Sequence, residues 1–159
     1  MSKILISGYY GFANAGDEAM LTAIIESLRQ VEKNVELTVL SGNPEDTAAK
    51  HQVCSVYRFN PLGIIRAMKD SELIISGGGS LLQDVTSKRS LLYYLSIIGL
   101  GKFFGKKVML FAQGIGPIRA KWARKLTSLV CNEVDLITVR DSESAVELIE
   151  MGVKPEKIT

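Results

Sequence analysis

Apolar strand-like runs alternate with amphipathic helical patterns along the whole of this chain, and that alternation limits the folds open to it more than any other feature. "KILISG" reads as a strand, after which Leu21, Ile24, Ile25 and Leu28 keep the i, i+3, i+4, i+7 spacing of a helix with one buried face. "VELTVL" and the shorter "QVCSVY" are the next strands, and "NPLGIIRAMKD" is a helix with Pro61 in its first turn. "ELIISGGG" is a strand running into three glycines, followed by a largely apolar helix over Lys88 to Phe104. "KKVMLFAQGIGP", "RAKWARKLTSLVCN", "VDLITVRD" and "SESAVELIEMG" continue as strand, helix, strand and helix, with Gly152 placed as a C-terminal cap. Repeated strand–helix units require a parallel sheet with right-handed crossovers and helices on both faces, a Rossmann-like α/β domain over residues 1–159. The closing "VKPEKIT" reads either as the approach to a further strand or as a frayed tail.

In an open parallel sheet, ligands bind beyond the carboxyl ends of the strands. Four such ends carry unusual residues here: "GYYGFANAGDEA", "SGGGSLLQD", "AQGIGP" and "VRD". The first is not a dinucleotide loop. Its glycines Gly8, Gly11 and Gly16 stand three and five apart, where that fingerprint needs two and three. The lysine–serine/threonine pair of a nucleoside-triphosphate loop is missing as well.

Asp17 and Glu18 open the following helix, where a phosphate would meet two like charges. Glu18 reads as a complement to the helix dipole. Asp17 supports two readings, the same dipole role or a base that takes a proton from a sugar hydroxyl. Gly77, Gly78 and Gly79 exceed what one tight turn needs and point to backbone amides approaching a ligand. Ser80, Gln83 and Asp84 could add hydrogen bonds to a sugar. Gln113 and Gly114 repeat the pattern, as turn chemistry or as ligand contacts. Arg140 ends an apolar strand at the same edge and is suited to gripping a carboxylate or phosphate, with a local salt bridge as the competing role.

A formal charge of +2 gives no reason to expect a nucleic-acid partner. Cys54 and Cys131 lie far apart with no further cysteine to pair with either, so both read as buried reduced thiols. The only histidine, His51, falls in a polar connection, which disfavours a metal site or a catalytic triad within this chain. "LLYYLSIIGL" is about half the length needed to span a bilayer, and no signal peptide is visible, so the expected location is the cytoplasm. Arg119, Lys121, Arg124 and Lys125 crowd one helix whose Trp122, Leu126 and Leu129 are expected to face inward. That basic face is either solvated or drawn to anionic lipid headgroups, which would give peripheral association with the inner face of a membrane. The "LLYYLSIIGL" helix is read as core, with an oligomer contact or a membrane-surface patch left open.

Taken together and in this order, "GYYGFANAGDEA", "SGGGSLLQD" and "AQGIGP" resemble the polysaccharide pyruvyl transferase family, particularly its cell-wall, CsaB-like branch. The likeness runs from Lys3 to at least Arg140. It implies an architecture of the GT-B type, of which this chain matches the N-terminal half, with a second C-terminal domain outside it. It also implies transfer of an enolpyruvyl group from phosphoenolpyruvate to a sugar, releasing phosphate and leaving a cyclic pyruvate ketal, with no further cofactor. In the cell-wall branch the acceptor is N-acetylmannosamine on a lipid-linked glycan. Carried onto this sequence, the resemblance makes Asp17 the candidate base and Asn14 the residue orienting the acceptor hydroxyl. Arg140 becomes the donor's anion contact and Gly77 to Gly79 a wall of the cleft. No general acid is evident, so the domain alone is expected to be nearly inactive. Two alternatives stay open: half of a nucleotide-sugar-dependent GT-B glycosyltransferase, and a non-catalytic flavodoxin-like binding domain. Against a phosphate-accepting receiver, the third strand ends in Tyr57-Arg58 where an aspartate is needed.

Overall fold

The computed structural model describes residues 2–159. Six strands, β1 (Lys3–Ser7), β2 (Glu36–Ser41), β3 (Cys54–Tyr57), β4 (Leu73–Leu82), β5 (Lys107–Ile115) and β6 (Leu136–Val139), form one sheet in the order β3-β2-β1-β4-β5-β6. Every neighbouring pair is parallel. The helices are α1 (Ala15–Val31), α2 (Pro44–His51), α3 (Pro61–Asp70), α4 (Lys88–Phe103), α5 (Lys121–Cys131) and α6 (Ser142–Met151). This is the doubly wound order whose direction reverses between β1 and β4, and a crevice opens at such a reversal.

Alternation along the strands builds two cores. Ile4, Ile6, Val39 and Ile75 pack with Leu21, Ile24 and Ile25 of α1. Leu5, Ile74, Val108, Leu110 and Ile137 belong to the larger cluster with Met68 of α3 and Leu91, Leu95 and Ile98 of α4. Each such side chain, fully buried, contributes roughly 1.5–3 kcal/mol. No helix among the described residues is long and apolar enough to cross a membrane.

Four sequence expectations change. The polar segment after β2 is helical: Asn43 caps it through a bond from the Asp46 amide, Pro44 opens it, and acidic and basic residues occupy its first and last turns. His51 ends this helix and is not in a loop. "GGG" and "QGI" are not turns after strands but the continuations of β4 and β5. Register shifts mark both, between Gly79 and Leu82 on β4 and between Leu110 and Gln113 on β5. On α5 the buried residues are Ala123, Thr127 and Cys131, a small-residue stripe that lets the helix sit close; of the three residues expected to face inward, Trp122 and Leu129 are exposed and Leu126 packs against the core. Cys54 is exposed because β3 is an edge strand, and Cys131 alone is buried. Burial pushes the Cys131 thiol up to about 12. At the far end Ile158 makes a single parallel bridge with Ile137, beside β6.

Candidate active site

The loop after β1 is fixed before it reaches α1. Asn14 is the N-cap, its Oδ1 accepting from the Asp17 amide at 3.1 Å. Glu18 reaches back through Oε1 to accept from the Gly11 amide at 3.0 Å, and its Oε2 lies 3.1 Å from His51 Nε2 on α2. Both partners of that pair are largely shielded, with side-chain exposures of 9% and 17%. Glu18 thus ties the loop, α1 and α2 together, more than the dipole role expected of it.

Asp17 points the other way. With Tyr9, Ser80, Leu81, Gln83, Ser90 and Tyr94 it lines a pocket of 180 Å³ between α1, α4 and the end of β4. Burial first, and the Glu18 charge second, hold its carboxyl above the ordinary carboxylate range. It makes no ion pair among the described residues. A carboxylate that binds its proton more readily than usual, in a pocket lined by hydroxyls, is chemically suited to act as a base. A larger depression, 570 Å³ around Lys3, Glu36, Cys54 and Asp70, lies at the opposite, amino end of the strands and holds none of these groups.

The glycine run packs against the first loop and α1. A Cβ at Gly77 would stand 2.6 Å from Tyr10 Oη and 2.8 Å from Ile24 Cδ1, and one at Gly78 would meet Met20 Cγ. Gly77 and Gly78 are buried, so their missing side chains make room for α1 and its loop, not for a ligand. Gly79, at φ +82°, borders Asp17 Oδ1. Gln113 is fully buried, its Nε2 donating to the Gly79 carbonyl at 3.1 Å while Oε1 has no partner. It shapes the β4 bulge from below. Asp84 accepts from the Arg119 amide at 3.0 Å and the Ala120 amide at 3.1 Å, at the start of a helix that lacks a side-chain cap. Those bonds, the Ala120 amide first, hold its carboxyl below the usual range. Its oxygens are therefore engaged by α5 and not turned to a sugar. Gln83 Oε1 is likewise engaged, accepting from the Thr86 amide at 2.9 Å, although the residue still lines the pocket.

Arg140 lies just past β6, half exposed, with its guanidinium flat over Gly114; a Cβ there would be 2.7 Å from Arg140 Cζ. Nη1 donates to Ser80 Oγ at 3.2 Å and Nε to Asp141 Oδ2 at 3.3 Å. Asp17 thus touches Gly79 on one flank of the bulge, and Arg140 holds Ser80 on the other.

Sequence reasoning passed over Arg58. It directly follows β3 with 6% of its surface exposed, and its guanidinium carbon lies 4.5–5.9 Å from the ring centroids of Tyr93, Phe59, Phe12, Tyr94 and Tyr9. Tyr9 and Tyr94 are shared with the Asp17 pocket. Burial pushes the Tyr94 hydroxyl up to about 12, against an opposing pull from Arg58.

A six-stranded parallel sheet with its polar pocket at the strand reversal defines a Rossmann-like domain of the kind that builds GT-B enzymes. Solved structures agree on the fold. The Anabaena protein Alr3699/HepE, crystallised with UDP and glucose, superposes with a TM-score of 0.67 at 12% identity, over 100% of this chain and 43% of its own. The lipopolysaccharide outer core galactosyltransferase WaaB gives 0.59 at 16% identity, over 99% and 44%. S. aureus MnaA, in complex with UDP, gives 0.56 at 15%, over 99% and 43%. The chain therefore spans less than half the length of these structures. No curated protein matches it. The polysaccharide pyruvyl transferase family model matches residues 14–159, and the chain belongs to that family.

Proposed function

We propose that this domain is the N-terminal, acceptor-side half of a pyruvyl transferase that moves enolpyruvyl from phosphoenolpyruvate to a sugar, N-acetylmannosamine of a lipid-linked cell-wall glycan, at the cytoplasmic face of the membrane. The carrying observation is the Asp17 carboxyl, raised above its usual range in a small polar pocket at the strand reversal. In this reading an acceptor hydroxyl enters the pocket and passes its proton to Asp17 as its oxygen bonds to C2 of the enolpyruvyl group. C3 gains a proton to become a methyl group, a second hydroxyl then bonds to C2 as the C2–O bond to phosphate breaks, and its proton leaves with the phosphate. Asn14 Oδ1 is held by the cap, so only its amide nitrogen is left to orient the hydroxyl. Arg140, half exposed beside Ser80, is placed to grip the donor's carboxylate or phosphate. The general acid and further donor contacts belong to a second domain.

The test is phosphate release by the complete protein given phosphoenolpyruvate and a β-mannosaminyl acceptor. Release that falls at least a hundredfold in Asp17→Asn supports the reading. No release from the parent, or equal rates in both, ends it. A nucleotide-sugar donor is the second reading, favoured by the UDP held in the HepE and MnaA structures. Saturable binding of a uridine-diphosphate sugar by the complete protein, with none of phosphoenolpyruvate, selects it.

A further inference from the structure

We propose that Arg58 and the groove between α3 and α4 form a subsite for a phosphate ester carrying a prenyl-like hydrocarbon chain. The first observation is a buried charge without a counter-ion. Among the described residues Arg58 makes no ion pair, its guanidinium meets only the neutral hydroxyls of Tyr93 and Tyr94, and its Nε is buried without a partner. Aromatic faces attract a cation, and Tyr93 and Phe59 do so at 4.5 and 4.9 Å. The ring faces offer no lone pairs and the two tyrosine hydroxyls no charge, whereas a guanidinium carries five N–H donors in a fork shaped for phosphate oxygens. Taking such a group out of water without a counter-ion is costly, so a bound anion supplies what the fold leaves out. Three of the five rings around the cation, the stacked Tyr9–Phe12 pair and Phe59, are themselves exposed.

The second observation is what adjoins it. A groove of 250 Å³ runs from Arg58 and Phe59 along Ile64, Ile65, Ile97 and Leu100, and Arg58 is the only charged residue in its wall. The third is order. Tyr94 lines the Asp17 pocket, its neighbour Tyr93 lines the groove, and both rings face Arg58. Polar pocket, cation and apolar groove therefore follow one another as do the hydroxylated head, the phosphate and the hydrocarbon of a glycosyl phospholipid. The inference rests on the acceptor reading of the Asp17 pocket and locates the part of the acceptor that does not react.

The test titrates the 159-residue chain with geranyl monophosphate, geraniol and inorganic phosphate, following heteronuclear NMR shifts including the Arg58 Nε–Hε resonance. Geranyl monophosphate should bind saturably and at least tenfold more tightly than either fragment, shifting Arg58, Ile65 and Ile97. Arg58→Met should weaken it at least tenfold. Ser96→Trp, which fills the groove from its exposed rim without touching Arg58, should weaken geranyl monophosphate but not inorganic phosphate, and keeps the test decisive if Arg58→Met does not fold. Equal affinity for geraniol, unchanged affinity in the variants, or shifts confined to other surfaces would overturn the proposal, as would uptake by neutral phosphatidylcholine vesicles that is indifferent to Arg58. Binding requires no phosphoenolpyruvate, so intact geranyl phosphate binding without pyruvyl transfer would refute the enzymatic reading alone.

Discussion

Gly77→Ala separates the two roles a triple glycine can have. The new methyl would lie 2.6 Å from the Tyr10 hydroxyl and 2.8 Å from Ile24 Cδ1, both in side chains that are almost fully buried. Overpacking of this kind costs about 1–3 kcal/mol, while replacing glycine at an ordinary φ returns about 0.4–1 kcal/mol through the unfolded chain. Taking the middle of each range, the net loss of about 1.3 kcal/mol should lower Tm by about 3–5 °C for a domain of this size. Tyr10→Phe removes a buried hydroxyl that has no partner, so alone it should be neutral or stabilising. Combined with Gly77→Ala it should recover much of the loss, since it vacates the place the methyl needs. Differential scanning calorimetry of the four proteins gives the coupling directly. A Gly77→Ala protein with unchanged Tm, or strictly additive effects, would show that the glycine is not there to admit Tyr10.

Asp17→Asn should raise Tm at neutral pH, because a carboxyl whose folded pKa is raised opposes folding once ionised, and the gain should vanish as the pH falls below the ordinary carboxylate range. If the complete protein carries the proposed activity, the acid limb of its kcat/KM should lie above that of an exposed aspartate and disappear in the same variant. Asp84→Asn should lower Tm near neutrality. The folded pKa of Asp84 is depressed, so its stabilisation is present above the unfolded value and lost as pH falls through the folded one, and the two proteins should converge in acid. A thiol reagent should label Cys54 at once and Cys131 only with unfolding, and mass spectrometry of the native protein should find one adduct.

The sheet and most helices were legible because burial imposes a period on the residues themselves. Leu21, Ile24 and Ile25 announce α1, and the apolar runs of β1, β4 and β5 announce a sheet covered on both faces. α2 was missed because only Thr47 of its eight residues is buried, so its evidence lay in the Asn-Pro start and the charge order, not in hydrophobicity. The glycine runs were misplaced because nothing local distinguishes a turn from a strand that must pass under a helix; the decisive neighbours, Tyr10 and Met20, lie more than fifty residues away. Ser80 lines the Asp17 pocket and also accepts from Arg140, because the carboxyl ends of neighbouring parallel strands share one edge. Arg58 had a signal, a lone cation between Tyr57 and Phe59, but the rings that complete its cage come from the loop after β1 and from α4.

The grip of Glu18 on Gly11 and His51 has a consequence for how this domain can change. Asp17 is the preceding residue on the same helical turn, so a chimera that imports a foreign α2 without its histidine would loosen the anchorage from which the neighbouring carboxylate is aimed. Segments thirty-three positions apart must therefore be exchanged as a pair, and a shuffled library would show it as survivors that inherit both from one parent.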